Sequence, residues 1–431
     1  MTLKNKNFYH NFCKKNKFIK YIFVSLFFTI TPAIGCLNPI KTSAKTDLKI
    51  LDNFKLDNIK IENNKITNIP KKIENKDDEE QIINSLEKQH KNESNEKEKI
   101  LRNIKEKKDF YIKILNNNKE EEISFLEYIR GCTASEIGVN APKEALLAQA
   151  IMCATYAIKR RGLNGIFTIG NSFQTYIPKD ERIKRFGEEK EKYLENLITF
   201  DSLKILFYGN EICECLYDTC VGGYTRPNED VFHNGDKKYH LDYFPIIKSP
   251  ELDFYNKINS IDEKRKNKFF LDEVKITPEE KGYIESNIKK VKRTIEININ
   301  DAYNIVKKHH PNATINPDPT KTIENISYDN YGYVKIFKIF DIALSGEFCR
   351  RNFNLPSANF KATIKDDKII FECLGQGHGV GASQVGASIL AAIEKKNYTE
   401  ILQHYFADEQ NKNKINLKSL KDIDPKLLFK N

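Results

Sequence analysis

The chain has 431 residues, enough for one large domain or two ordinary ones. Only 40% of them are apolar while 30% are charged, so a folded body diluted by polar sequence fits better than a uniformly packed globule. Lys and Arg (70) outnumber Asp and Glu (60), but no compact basic block follows the first twenty residues, which argues against nucleic acid and for anionic surfaces or polymers.

At the start, Lys4, Lys6, Lys14, Lys15, Lys17 and Lys20 precede an uncharged apolar run, Tyr21–Gly35. That is the pattern of an export signal, and the run falls short of the ~20 residues of a membrane span. It ends Ala33-Ile34-Gly35-Cys36, similar to a lipobox with Cys36 as the lipidated residue, although Ala33 stands where Leu is usual. An uncleaved anchor helix is the alternative reading of segment 1–36. Either way the body is expected outside the cytoplasm, held at a membrane.

Segment 37–119 is built of Lys, Asn, Glu, Asp and Ile and is read as a charged low-complexity tether, with Glu79–Lys108 as transient helix. Regular structure is predicted from Ser124, where Ser124-Phe125-Leu126-Glu127 matches a capping box. After a break at Gly138–Pro142, a second helix runs from about Pro142 to Arg161, with Leu146, Ala150, Ala154 and Ile158 as its stripe. Farther on, Leu203–Phe207, Tyr333–Phe340 and Ile369–Cys373 read as strands, and Asn300–Lys308 and about Ser383–Lys396 as helices. Strands and helices without βαβ regularity predict an α+β fold, a single catalytic domain over 120–410. Within it 256–330 reads as a peripheral subdomain or long insertion, and 411–431 as a basic tail.

Two segments carry the chemistry. Glu127–Arg161 reads EYIRGCTASEIGVNAPKEALLAQAIMCATYAIKRR, and Leu374–Ala392 reads LGQGHGVGASQVGASILAA. Between them lie Tyr217–Thr225 (YDTCVGGYT) and Ser345–Phe360 (SGEFCRRNFNLPSANF). In this order they resemble the stage II sporulation protein D (SpoIID)/LytB family. The resemblance implies a peptidoglycan lytic transglycosylase, which cuts MurNAc–GlcNAc strands with one Glu and leaves 1,6-anhydro-MurNAc ends. The position matching that Glu is Glu136. One carboxyl suffices because the sugar's own 6-hydroxyl replaces water, whereas ordinary glycosidases use two. To be protonated near neutral pH, Glu136 needs a raised pKa, which apolar neighbours such as Cys132, Ile137 and Val139 would supply and the nearby start of the second helix would oppose.

The resemblance further implies substrate-binding roles for Gln149, Thr155, Gly223, Thr225, Ser357, His378, Gly379, Ser383 and Gln384. Gln149 could equally cap a buried polar group, and His378 could be a structural donor. Glu144 reads as a stabiliser of its helix start. Cys153-Ala154-Thr155-Tyr156 departs from the family's Ala-Arg-Thr-Tyr, and Arg160 or Arg161 is the substitute for the missing cation. The glycines at 375, 377, 379 and 381 admit positive φ and are expected to let a ligand approach the backbone; they fit no phosphate-binding pattern. The chain holds no Trp, so any aromatic sugar platform must come from Tyr or Phe.

Cys213, Cys215 and Cys220, with His233 and His240 downstream, are weak zinc candidates with non-standard spacing; small buried thiols or one disulfide is the favoured reading, and no cofactor is expected. Expected partners are peptidoglycan glycan strands, the membrane through the N-terminal anchor, and other cell-wall hydrolases. The rivals to an enzyme are a non-catalytic activator of a wall amidase and a peptidoglycan-binding module.

Overall fold

The computed structural model describes residues 60–62, 65–67, 76–170, 173–234, 237–238, 241–260 and 275–429. Segment 1–36, with the expected export signal and Cys36, lies outside them, as does His240. No described helix is long and apolar enough to cross a membrane.

The architecture is α+β: helices surround several small sheets. A hairpin of β1 (Lys60–Glu62) and β2 (Lys65–Thr67) precedes the long helix α1 (Lys76–Lys105). Strands β3 (Tyr111–Asn116) and β4 (Lys119–Ser124) turn at Asn117 and Asn118, whose φ of 48° and 63° suit a tight two-residue hairpin that Asn tolerates. Helices α2 (Phe125–Glu136) and α3 (Lys143–Arg161) follow, and β5 (Ile166–Thr168) adds in parallel to β3. Next come α4 (Lys179–Phe186), α5 (Glu188–Leu197), β6 (Lys204–Tyr208), β7 (Glu211–Ile212) and β8 (Tyr217–Asp218). A short hairpin, β9 (His233–Asn234) and β10 (Lys237–Lys238), leads to α6 (Glu251–Ser260) and α7 (Pro278–Ile288).

In the last third, β11 (Lys292–Asn298) and α8 (Ile299–His309) precede the meander β12 (Ile323–Tyr328), β13 (Val334–Ile339) and β14 (Ile342–Leu344). Helix α9 (Gly346–Asn352) and strands β15 (Phe360–Lys365) and β16 (Lys368–Leu374) come next. The chain closes with β17 (Ala382–Ser383), α10 (Gln384–Ala392), α11 (Tyr398–Phe406), β18 (Ile415–Ser419) and α12 (Pro425–Leu428).

Helix α3 is the centre of the main core. Thirteen of its residues are buried, from Ala145 to Ile158, so it is enclosed on nearly every side instead of presenting one apolar stripe. Its alanines 145, 148, 150, 154 and 157 let α2, α10, α11 and β6 approach closely. A second core, with Phe337, Phe360 and Phe371 edge to face, lies among β11, β13, β15, β16 and α8.

Three segment boundaries differ from expectation. Ile100, Ile104, Phe110, Ile112 and Ile114 are buried in the main core, so the charged tether stops well before 119. The sequence disguises this because these few apolar residues sit among many lysines. The basic tail 411–431 is part of the fold: β18 pairs with β6, and Leu420, Ile423, Leu428 and Phe429 are buried. Nor is 256–330 a peripheral insertion, since β11 pairs with β16 along its whole length, from Lys292↔Leu374 to Asn298↔Lys368.

Strand β3 is the middle strand of the β4-β3-β5 sheet. Removing residues 1–117 deletes it with Phe110, Ile112 and Ile114, each worth ~1.5–3 kcal/mol of burial. That approaches the ~5–15 kcal/mol stability of a whole domain. A chain starting at Asn118 is expected to be insoluble or to lack a cooperative thermal transition, while one starting at Lys76 melts like the full chain. Equal melting of both would show that β3 is dispensable.

Candidate active site

Helix α2 starts at Ser124, whose hydroxyl accepts the Glu127 N–H at 3.1 Å. The reciprocal half of the capping box is missing, because the Glu127 carboxylate is taken by Arg182 at 2.9 and 2.8 Å. Arg182 is buried at 1% exposure and also grips Glu191 at 2.8 and 2.6 Å. Its guanidinium thereby links α2, α4 and α5, and it donates to the Ile177 carbonyl at 2.7 Å.

This cation fixes the loop 173–178 along α2. The Ile177 N–H donates to the Gly131 carbonyl, and a Cβ on Gly131 would collide with the Tyr176 ring. The Tyr176 hydroxyl donates to Glu127 at 3.1 Å. Gln174 is buried; it accepts from the Tyr128 hydroxyl at 2.9 Å and donates to the Tyr217 hydroxyl at 3.1 Å. Between these clamps Thr175 has one place to go. Its N–H and hydroxyl both donate to Oε1 of Glu136, at 3.0 and 2.6 Å.

Glu136 is the last residue of α2, where the chain turns through Gly138 (φ 86°) toward α3. It lines an open cleft of about 370 Å³ with Tyr156, Arg160, Phe173, Tyr217, Phe232 and His378. Burial pushes its carboxyl above the usual range, and the two Thr175 donors pull the other way without cancelling this. The thiols beneath add no charge: burial pushes Cys153 up to about 12 and Cys132 well above the ordinary thiol value. Among the described lining residues Glu136 is the one carboxylate, and its Oε2 takes no hydrogen bond.

The glycine-rich loop forms the opposite wall. Cys220 bridges Gln376, and Ala382–Ser383 pair in parallel with Tyr217–Asp218. Asp218 is buried and accepts from the backbone N–H groups of His378 (2.9 Å) and Gly379. A Cβ on Gly377 would collide with the Asp218 carboxylate, one on Gly379 with the Tyr333 hydroxyl, and one on Gly381 with the Leu216 carbonyl. The glycines therefore admit the protein's own groups, where a ligand was expected.

His378 Nδ1 faces two partners, the Val380 N–H at 3.1 Å and Asp218 Oδ2 at 3.2 Å. Burial lowers its pKa and Asp218 opposes that. In the neutral ring Nδ1 accepts from Val380, so Nε2 carries the proton. The Phe232 ring stands against the imidazole edge, with centroids 5.2 Å apart.

Of the nine residues expected to bind substrate, His378 lines the cleft and the other eight do not. Gln149 is fully buried and accepts from Gln384 at 3.3 Å, so both serve the packing of α3 on α10. Thr155 is buried, donating to Ile151 and accepting from the Leu206 N–H. Thr225 holds Pro245 and Ile247, and Ser357 accepts the Asn359 N–H. Ser383 caps α10 and donates to Glu251 at 2.8 Å. Gly379 is buried against Tyr333, and Gly223 lies against Leu252 outside this cleft. Short polar side chains in a motif are ambiguous between capping a backbone and touching a ligand; here the backbone takes them.

Other expectations fare differently. Glu144 accepts the Tyr398 N–H at 2.9 Å, tying the start of α3 to that of α11. Ala154 is fully enclosed, and it is Arg160, paired with Glu214 and 5.5 Å from the Tyr156 ring centre, that brings a guanidinium to the cleft. Cys213, Cys215 and Cys220 are buried free thiols, and the described residues hold no group of three or more potential metal ligands. The sequence reading overlooked Thr175, Gln174 and Arg182, whose segment carried no motif. It also passed over Tyr217 and Asp218, which stood inside a quoted segment but were overshadowed by its glycines.

A half-buried carboxylic acid at a helix–helix corner, facing a glycine-rich loop across an open cleft, sets the site of this α+β protein. Over part of its length the chain is similar to the SpoIID family. Residues 116–200 match that family, described as stage II sporulation protein, and include the first motif segment. Stage II sporulation protein D of Bacillus subtilis (strain 168) is 24% identical over 306 residues, covering 68% of this chain and 76% of the relative. Its counterpart from Bacillus amyloliquefaciens is 24% identical over 302 residues, with 68% and 75% covered. An uncharacterized protein of Brachyspira hyodysenteriae is 25% identical over 294 residues, with 66% of each chain covered.

Two outcomes follow from the geometry. Thr175→Val keeps the backbone donor but removes the hydroxyl that favours the carboxylate, so the Glu136 pKa should rise further; carboxyl carbon NMR titration reads this, and a fall would contradict the bonding described. Glu136 holds its proton in the fold above the ordinary 4.5, where the unfolded chain has released it, so this residue's contribution to stability declines as pH rises through that window. Glu136→Gln should therefore melt higher than the native protein above the window, with the gap closing below pH ~4.5. A mutant that melts lower at pH 8 would sink this account.

Proposed function

We propose that the protein is a cell-wall enzyme, a peptidoglycan lytic transglycosylase with Glu136 as its acid and base. The observation that carries this reading is the single carboxyl of the cleft, raised in pKa by burial, held through Oε1 by Thr175 and free at Oε2. In the reaction, Glu136 gives its proton to the glycosidic oxygen as the bond from C1 of MurNAc to that oxygen breaks. The carboxylate left behind takes the proton of the C6 hydroxyl, whose oxygen closes on C1 to form the 1,6-anhydro ring. The acid is restored and no water is consumed. A two-carboxylate hydrolysis needs a second acid across the bond, and the described lining offers none.

Neutral His378, with its proton on Nε2, is suited to donate to a sugar hydroxyl, and the Arg160 guanidinium to attract the carboxylates of the wall polymer. The Lys-rich start and apolar run up to Cys36 support export and membrane attachment, by lipidation or as an uncleaved helix. Other wall hydrolases are proposed partners.

Replacement of Glu136 by Gln keeps shape and hydrogen-bond acceptance but removes the transferable proton. Release of 1,6-anhydro-MurNAc ends from purified strands should drop by ~10²–10⁴, the usual worth of general acid–base help. Equal release by both proteins would remove Glu136 from the mechanism. No release by either, together with stimulation of a wall amidase by both, would establish the activator reading.

A further inference from the structure

A second cleft, of about 450 Å³, is lined in part by Leu374, where the glycine-rich segment begins. Its walls carry Tyr224, Tyr328 and Tyr331, with Tyr224 and Tyr328 exposed at 39% and 42%. Tyr224 and Tyr331 form a tilted pair with ring centres 5.8 Å apart. Gly222, Gly223 and Gly332 leave the floor low, and the Asn359 amide sits there at 7% exposure with no side-chain hydrogen bond among the described residues. Lys292, paired with Glu372 at 3.8 Å, and Lys361 stand at the rim. The Tyr333 hydroxyl shares its one hydrogen between the carbonyls of Val221 and Tyr224, both at 2.9 Å, which ties the meander to this wall.

We infer that this cleft is a remote binding site for the same glycan strand, holding sugar rings several units from the bond that is cut; the inference rests on the proposed function above. Exposed tyrosines offer flat faces to the C–H faces of sugars, and the Asn359 amide on the cleft lining can both donate to and accept from sugar hydroxyl or acetamido groups. The cationic excess at the rim, two lysines to one glutamate, suits the carboxylates of the wall polymer. The two clefts are also close along the chain. Leu374 lines one and His378 the other, so at most ~14 Å of chain separates them. A polymer lying across the loop meets both, whereas a free monosaccharide would not need the second.

The test uses the full chain with Glu136→Gln, so that binding is read without turnover. Tyr224→Ala with Tyr331→Ala should weaken co-sedimentation with stem-peptide-free glycan strands by about tenfold or more, as loss of two stacking faces implies. Tyr111→Ala, a tyrosine exposed at 62% outside the cleft, controls for general surface effects and should change nothing. Melting temperature shows whether the double variant folds; if it does not, Tyr328→Ala alone takes its place with the same expectation. Unchanged strand binding overturns the inference, as does retention of strands with loss of binding to a proline-rich peptide. If the native protein releases no anhydro ends yet the tyrosine variants lose strands, the remote site stands and the catalytic reading falls.

Discussion

The buried Arg182 ion pair network is the constraint on which the site depends. A guanidinium at 1% exposure must keep its partners, and removing one carboxylate from such a group costs ~3–5 kcal/mol. Because Glu127 and Glu191 come from different helices, the cation cannot be satisfied unless α2, α4 and α5 take their places together. The Ile177 carbonyl then sets the loop, the loop sets Thr175, and Thr175 orients Glu136. The orientation of Glu136 is therefore traced back to Arg182, Glu127 and Glu191, none of which lines the cleft.

Burial and hydrogen bonding act in opposite senses on Glu136, and burial prevails. A third donor would lower its pKa further, and with none burial alone would act on it. Asp218, across the cleft, shows the other use of a carboxylate. Its two backbone donors bind it into the loop, so it shapes the wall.

Much of the fold was legible because the strongest signals were local. The capping serine of α2, the breaks at Gly138–Pro142 and Gly162, and the span of α3 all appear where expected. Glu136 was found through its resemblance to a family motif, since nothing in its own neighbours separates it from a surface glutamate. The clamp around it was illegible. Arg182 reads as one more charge in KDERIKRF, and only packing with Glu127, 55 residues away, makes it a buried hub. The same blindness explains the tether and tail, where β3 and β18 are short, lysine-bearing strands whose partners are distant in sequence.

The parallel pairing of Tyr217–Asp218 with Ala382–Ser383 joins residues separated by 165 positions along the chain. Together with β18 on β6, it gives the protein a high contact order, and such closures are slow because loop entropy must be lost before the contacts form. During synthesis α2 and α3 emerge early, but the wall carrying His378 cannot be laid down until most of the chain has appeared. A nascent or truncated chain therefore carries Glu136 without the opposite wall of its cleft, which is complete only when folding is.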